Sequence, residues 1–260
     1  MDLPLYLLLG VVAGLLAGLL GVGGGLVIVP VLLWLFGARG VDPEVMVHLA
    51  VGTSLTAIIG TSLASIRAHQ SRGAVRWPLV RVLAPGILLG AWAGAMLADL
   101  LPAFWLQRVV GCFAILVGLQ MIFNPRVQPR RELPGRLGMT LGGVAIGTVS
   151  AVVGIGGGSL TVPFLHWNGV PLRNAVATSS ACGLPIALAG AAGFLVSGWG
   201  RFGLPSGSTG FIYWPALPGI VIAALLFAPL GAWLAHTLPL RTLEKVFALL
   251  LLTVGAKLLL

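Results

Sequence analysis

Long apolar runs, separated by short polar segments, make up most of this chain. A bilayer core of about 30 Å needs roughly 20 apolar residues in a helix. Six runs have about that length, at residues 46–66, 79–99, 104–123, 174–196, 213–235 and 242–260. Two further apolar regions, 3–37 and 137–168, are each divided by a cluster of glycines. Each divided region predicts a helical hairpin or a pair of short spans, so the pattern predicts roughly eight to ten membrane segments.

The two glycine clusters have the same form. GVGGG at 21–25 is followed by Pro30, and GIGGG at 154–158 is followed by Pro163. In a helix interior each glycine costs about 1 kcal/mol relative to alanine, and a proline costs about 3 kcal/mol. A break in a membrane helix must be buried in protein or line a wet cavity, and N–H groups freed at a helix N-terminus favour anions. The clusters therefore predict a facing pair of anion-binding sites, and close packing of small residues between helices remains the alternative.

Three further blocks recur in the same order after each glycine cluster. AVGTS recurs as AVATS (50–54 and 175–179), WPLVRVLAPG as WPALPG (77–86 and 214–219), and GAMLADLLP as GAWLAHTLP (94–102 and 231–239). This recurrence predicts an internal duplication. We therefore predict an all-α polytopic membrane protein with two repeats, each a glycine-broken helical hairpin plus three transmembrane helices. The single membrane domain, 1–260, would comprise repeat 1 at about 1–123, a linker at about 124–136 and repeat 2 at about 137–260.

Basic side chains are concentrated in short loops between the apolar runs. The chain has 15 Lys and Arg against 6 Asp and Glu, for a net charge of +9, and this placement is typical of the positive-inside pattern and not of a nucleic-acid-binding face. Loops 67–81 and 124–136 are predicted to be cytoplasmic, and 198–212, in which the only basic residue is Arg201, is predicted to be external. Equivalent loops then lie on opposite sides, and both termini are external. Such inverted topology is typical of transporters with a substrate site near the midplane.

The candidate substrate-binding groups are the backbone amides of the breaks, the hydroxyls of the two TS blocks and one basic residue before each block. Hydroxyls can donate to an oxyanion, but they also bond to carbonyls of their own helix, and that alternative stays open. The two basic residues precede their blocks by the same interval, and they either attract an anion or anchor a helix at the headgroups. The predicted set is Gly23, Gly24, Gly25, Thr53, Ser54, Gly156, Gly157, Gly158, Thr178, Ser179, His48 and Arg173.

Composition and residue spacing argue against other classes of protein. Only 8% of the residues are charged, whereas a soluble domain typically carries about 25%. No group of histidines and acids has metal-ligand spacing, and no nucleophile is paired with a base, so we predict no enzyme, no catalytic residue, no metal and no cofactor. All six acidic residues fall near segment ends or in loops, which disfavours a proton relay through carboxylates.

The duplicated GxGGGxxxxP element, each copy followed by a [GA]TS block, resembles the sulfite exporter TauE/SafE family, also called the toluene sulfonate uptake permease family. The resemblance covers essentially the whole chain. It implies a bacterial or archaeal inner-membrane transporter of small anions such as sulfite or an organosulfur oxyanion, with the lipid bilayer as its environment. We expect a secondary transporter working by alternating access, and a passive anion channel or a non-transporting scaffold are the alternatives. A coupling ion (proton or sodium) and a homodimer are left open by the residues.

Overall fold

The computed structural model of the protein describes residues 3–20, 24–123, 133–237 and 241–259. Gly21, Gly23 and most of the central linker lie outside this part of the chain. Within it, ten α-helices follow one another: α1 (Leu3–Leu20), α2 (Gly25–Ala38), α3 (Pro43–Gln70), α4 (Trp77–Leu100), α5 (Ala103–Phe123), α6 (Arg136–Val153), α7 (Gly158–Trp167), α8 (Leu172–Ser197), α9 (Leu217–Thr237) and α10 (Arg241–Leu259). The helical, multi-pass class predicted from the apolar pattern is confirmed.

Six stretches of helix in the described residues are long and apolar enough to cross a membrane. They are Pro43–Gln70, Trp77–Leu100, Ala103–Phe123, Arg136–Val153, Leu172–Ser197 and Trp214–Gly231. The last of these begins with a short 3₁₀ turn, Trp214–Ala216, that leads into α9. The chain is therefore a polytopic membrane protein.

Each glycine cluster divides its apolar region into two helices. The first region forms α1 and α2, and the second forms α6 and α7. At 1.5 Å per residue, α2 is about 21 Å long and α7 about 15 Å, so neither can cross a core of about 30 Å alone. The sequence left open whether each divided region is a hairpin or a pair of spans, and the second helix of each pair is too short to be a full span.

Close packing of small residues joins α4 to α6 and α1 to α9. A Cβ atom at Gly86, Gly90 or Gly94 of α4 would collide with the backbone of α6. These glycines recur every four residues and so occupy one face of α4, which lets the two backbones approach. On α1, Gly10 and Gly14 face the backbone of α9 in the same way. Glycines outside the two breaks thus also allow close packing of helices, which is the role that the sequence left open for the break glycines.

The polar segment between α8 and α9 returns to the core instead of remaining a surface loop. Two short antiparallel strands, β1 (Ser208–Thr209) and β2 (Ile212–Tyr213), form a hairpin there. The hairpin buries Phe211 and leaves the side chain only 2% exposed. The glycine- and serine-rich composition of this segment predicted only a loop, because a single buried aromatic residue gives no periodic signal.

Candidate functional site

Helices α3 and α8 cross in antiparallel directions, and most residues of both are buried. The hydroxyl oxygens of Ser65 on α3 and Ser180 on α8 lie 3.1 Å apart, near the end of α3 and the start of α8. Farther back along α3, a Cβ atom at Gly190 of α8 would lie 2.9 Å from the Leu55 side chain. The end of α3 therefore contacts the start of α8, and earlier residues of α3 contact later residues of α8. The two TS blocks, at 50–54 and 175–179, consequently lie on opposite sides of the crossing.

Left-handed glycines shape each break. Gly24 has a φ of 76° immediately before α2, and Gly157 has a φ of 75° immediately before α7. Gly154, which ends α6, has a φ of 78°. A residue with a Cβ atom is disfavoured in this region, so these positions require glycine. The predicted Gly23 lies outside the described residues.

The two breaks touch each other beside α3. A Cβ atom at Gly25 would lie 2.5 Å from the carbonyl oxygen of Gly154 and 2.9 Å from the Cα atom of Ile155. Ser54 of α3 donates a 2.8 Å hydrogen bond to the same Gly154 oxygen. All of these residues are buried. At this point the breaks are in direct contact, and no ion fits between Gly25 and Gly154.

The threonines of the two TS blocks accept hydrogen bonds from backbone amides of other segments. The Thr53 hydroxyl accepts a 2.9 Å hydrogen bond from the backbone amide of Tyr213, and the Thr178 hydroxyl accepts a 3.1 Å bond from the amide of Arg76. Tyr213 and Arg76 each stand immediately before a Trp-Pro pair. Ser179 donates to the carbonyl of Val176 in its own helix. The structure therefore gives these predicted hydroxyls protein partners.

The two predicted basic residues lie in different surroundings. His48 is 5% exposed, its Nε2 atom lies 3.0 Å from the carbonyl oxygen of Ala98, and its ring stacks on Phe211 at 5.1 Å. Arg173 is exposed in the first turn of α8. His48 stands six residues before Ser54, which places it about 9 Å away along α3. Its contacts are with Ala98 of α4 and with Phe211 of the hairpin. The two basic residues precede their TS blocks by the same interval in the sequence, but His48 is buried and Arg173 is exposed.

Buried hydroxyls that the sequence analysis did not select surround the start of α7. Ser150 and Thr161 are fully buried, and their hydroxyl oxygens lie 3.7 and 3.3 Å from the position of a Cβ atom at Gly157. Ser62 of α3 is also buried, and its hydroxyl lies 2.8 Å from the position of a Cβ atom at Gly183. None of the three hydroxyls has a hydrogen-bond partner within the described residues. Such groups are rare in protein interiors and call for an explanation.

The backbone amides at the start of α7 add further donors next to these hydroxyls. The amides of Leu160 and Thr161 donate to the carbonyl of Gly157, whereas the N–H groups of residues 156–159 donate to no carbonyl in the described chain. Those of Gly157, Gly158 and Ser159 are among the orphan donors that a helix N-terminus presents. In the sequence, Ser150 stands one helical turn before Gly154 and Thr161 one turn after Gly157, but this spacing alone does not show whether either side chain faces the break.

A buried polar face of α3 leads from this group toward the end of the helix. Ser62, Ser65 and His69 are all buried, and their spacing places them on one side of α3. The Ser65 hydroxyl also lies 3.4 Å from the carbonyl oxygen of Ala17 on α1. At this end of the molecule a cavity of about 300 Å³ opens, lined by Arg76, Pro78, Leu79, Leu133, Asn168, Gly169, Val170 and Pro171.

Aromatic rings close the opposite end of α3. Phe211 of the hairpin packs edge-on against Phe194 with the ring centroids 6.3 Å apart, and Phe36 meets Tyr213 edge-on at 5.5 Å. Phe36 and Phe194 are fully buried. The polar face and the cavity therefore lie toward one end of the crossing, and a compact aromatic cluster lies toward the other.

The sequence profile of one family, described as "Sulfite exporter TauE/SafE", matches residues 6–258 of this chain. The chain belongs to the sulfite exporter TauE/SafE family. The match spans both glycine breaks, both TS blocks and the α3–α8 crossing, so the resemblance drawn from the duplicated motif is confirmed.

Two similar proteins extend over nearly the whole chain, and a third extends over about two thirds of it. A "Probable membrane transporter protein" of Haemophilus influenzae is 37% identical over 254 residues, covering 96% of each chain. The "Probable membrane transporter protein YunE" of Bacillus subtilis is 27% identical and covers 99% of this chain and 97% of its own. An archaeal relative, "Probable membrane transporter protein MJ0441" of Methanocaldococcus jannaschii, is 28% identical over 68% of this chain and 66% of its own. No solved structure gives a significant match. This is a multi-pass protein of a membrane transporter family.

Proposed function

We propose that the protein is a secondary transporter that moves a small anion, sulfite or an organosulfur oxyanion, across the cytoplasmic membrane by alternating access. The observation that carries the proposal is the contact between the two glycine breaks, beside the antiparallel crossing of α3 and α8. Broken helices that meet between two repeats are typical of secondary transporters, whose substrate binds near the midplane. The sulfur chemistry rests on the family's description alone.

Matched contacts in the two halves support an inverted pair of repeats. Gly10 of α1 faces the backbone of Ile220 on α9, and Gly143 of α6 faces the backbone of Leu83 on α4. Aligning the glycine clusters pairs Gly10 with Gly143, and aligning the Trp-Pro blocks pairs Leu83 with Ile220. In this proposal α1–α5 and α6–α10 are equivalent units, and α3 and α8 run in opposite directions because the two units are oppositely oriented.

The proposed orientation follows the basic loops. Loops 67–81 and 124–136 are cytoplasmic in this proposal and both termini are external, as the positive-inside rule indicates. The cavity beside Arg76 and the polar face of α3 then open toward the cytoplasm. The cluster around Phe211 closes the external side. Alternating access would require this cluster to separate while the cytoplasmic end closes.

The proposed substrate site is formed by the breaks, and the TS blocks support it. The N–H groups at Gly156, Gly157 and Gly158, with their counterparts at 23–25, face an anion bound between the repeats. Ser54 holds the Gly154 carbonyl, and Thr53 holds the hairpin, so the hydroxyls of the TS blocks position the breaks. His48 and Arg173 act on the anion only from a distance in this arrangement.

Counterflow in liposomes tests the proposal. Purified protein is reconstituted with unlabelled sulfite inside, and uptake of sulfur-labelled sulfite is followed. A carrier accumulates label transiently above equilibrium, because outward movement of unlabelled substrate returns the site to the outer face. A passive channel gives flux without accumulation, and a scaffold gives no flux above protein-free liposomes, so either result contradicts the proposal. Imposed proton or sodium gradients in the same liposomes identify the coupling ion.

A further inference from the structure

The two breaks differ in the side chains that surround them. Aligning the glycine clusters pairs Ser150 with Ala17 and Thr161 with Ile28. All four residues are fully buried. At these two aligned positions the second break therefore has hydroxyl side chains, whereas the first break has hydrocarbon side chains.

The second break concentrates donors that lack acceptors. The N–H groups of residues 156–159 donate to no carbonyl in the described chain, and the hydroxyls of Ser150 and Thr161 lie within 4 Å of where a Cβ atom at Gly157 would be. Both hydroxyls are buried, and neither has a partner among the described residues. A buried donor without an acceptor is costly, so two of them beside a helix N-terminus indicate a ligand that accepts.

All of these donors are electrically neutral. The basic residues of α3, α6, α7 and α8 stand within the first or last two turns of their helices, at His48, Arg67, His69, Arg136, His166 and Arg173. The cost of removing an ion from water rises with the square of its charge, so it is about four times greater for a dianion than for a monoanion of the same size. The attraction that neutral dipoles supply rises only in proportion to the charge, so we expect a site with neutral donors to favour the single charge.

We propose that the second break is the anion site of the transporter, that Ser150 and Thr161 are its side-chain ligands, and that it binds singly charged oxyanions. The first break has Ala17 and Ile28 where the second has Ser150 and Thr161, and it holds no second anion of its own. This inference rests on the proposed transport function and adds to it the liganding residues and the charge of the substrate.

The test measures anion binding by calorimetry on purified protein in detergent. Methanesulfonate and sulfate share sulfur–oxygen chemistry but carry one and two charges. Wild-type protein is expected to bind methanesulfonate at least tenfold more tightly than sulfate. Thr161→Val and Ser150→Ala should each weaken methanesulfonate binding by about tenfold or more, because each removes one hydrogen bond to a charged group. Thr161→Ser, which keeps the hydroxyl, should bind nearly as wild type.

Thr253→Val is the matched control, because it removes an exposed hydroxyl on α10 that bonds to the carbonyl of Leu250. Without ligand, Thr161→Val should unfold at the wild-type temperature or above it, since it removes a buried hydroxyl that has no partner. Binding by Thr161→Val and Ser150→Ala that equals the control overturns the assignment of ligands, and equal affinity for sulfate overturns the assignment of charge. Wild-type protein that binds and transports no anion contradicts the transport function itself.

Discussion

The hydroxyl of Ser54 donates a 2.8 Å hydrogen bond to the carbonyl oxygen of Gly154, one hundred residues away, and so joins the first TS block to the second glycine break. Gly154 ends α6, so this carbonyl is one of those that a helix C-terminus leaves without an intrahelical partner. Ser54 thereby fixes the break against α3. The bond also shows that a motif from one half of the chain completes a motif from the other.

Removal of this hydroxyl should destabilise the protein. Ser54→Ala leaves the buried Gly154 carbonyl without its donor, and we expect a loss of about 1–2 kcal/mol in unfolding free energy. Thermal unfolding in detergent measures the effect. Ser71→Ala is the control, because the exposed Ser71 hydroxyl bonds only to the carbonyl of Ala68 in its own helix. Equal unfolding temperatures for the two variants would contradict the assignment.

The threonines of the two TS blocks should prove equivalent in stability measurements. Thr53→Val and Thr178→Val each leave a backbone amide, that of Tyr213 or Arg76, without its acceptor. Each should cost about 1–2 kcal/mol, and serine at either position should restore most of the loss. The two sites lie on opposite sides of the crossing, so the double variant should lose the sum of the two effects. A loss confined to one of the two variants would contradict their matched roles.

The helices could be predicted because the membrane imposes a simple length rule. Each apolar run of about 20 residues became a long helix, and each glycine cluster became a break, since a helix does not tolerate four glycines at low cost. The equivalence of the TS blocks was also visible, because Thr53 and Thr178 occupy the same place in a repeated motif.

The chemistry around the second break could not be predicted in the same way. Whether Ser150 and Thr161 bond to their own helix or face a common point depends on how α6 and α7 are rotated, and apolar residues on all sides of a membrane helix give no such signal. The burial of Phe211 was equally hidden, because it depends on the return of a loop to the core. Tertiary packing, and not local sequence, decides both.

Contact between the breaks makes Gly25 intolerant of even a methyl group. Gly25→Ala would place a Cβ atom 2.5 Å from the carbonyl oxygen of Gly154, and backbone cannot rotate away as a side chain can. We expect a cost of about 1–3 kcal/mol and loss of anion flux in liposomes. Gly135→Ala is the control, because no atom lies within 4 Å of its Cβ position and its φ is −54°. Wild-type flux in Gly25→Ala would show that the close contact is not needed for transport.

The hairpin residue Phe211 should act as part of an external gate. Phe211→Ala removes the ring that packs on both His48 and Phe194, so the external side should open and anion leak through the protein should rise. A cavity of this kind also lowers stability by about 3–5 kcal/mol. Phe202→Ala is the control, because Phe202 lies in the same segment but is 96% exposed. Measured efflux from anion-loaded liposomes that is equal for the two variants would contradict a gate at Phe211.

The orientation of the two halves can be tested by labelling from one side of the membrane. Ser71 directly follows the last residue of α3. Ser206 lies in the segment between α8 and α9, which is joined to the first half of α3 by the hydrogen bond between Tyr213 and Thr53. Both serines are exposed. In a background without the two native cysteines, Ser206→Cys should react with an impermeant maleimide on intact cells, and Ser71→Cys only after permeabilisation. Reaction of both from outside would contradict inverted repeats. Exchanged accessibility would keep the inverted repeats and reverse the proposed orientation, because the basic loop at 67–81 would then be external.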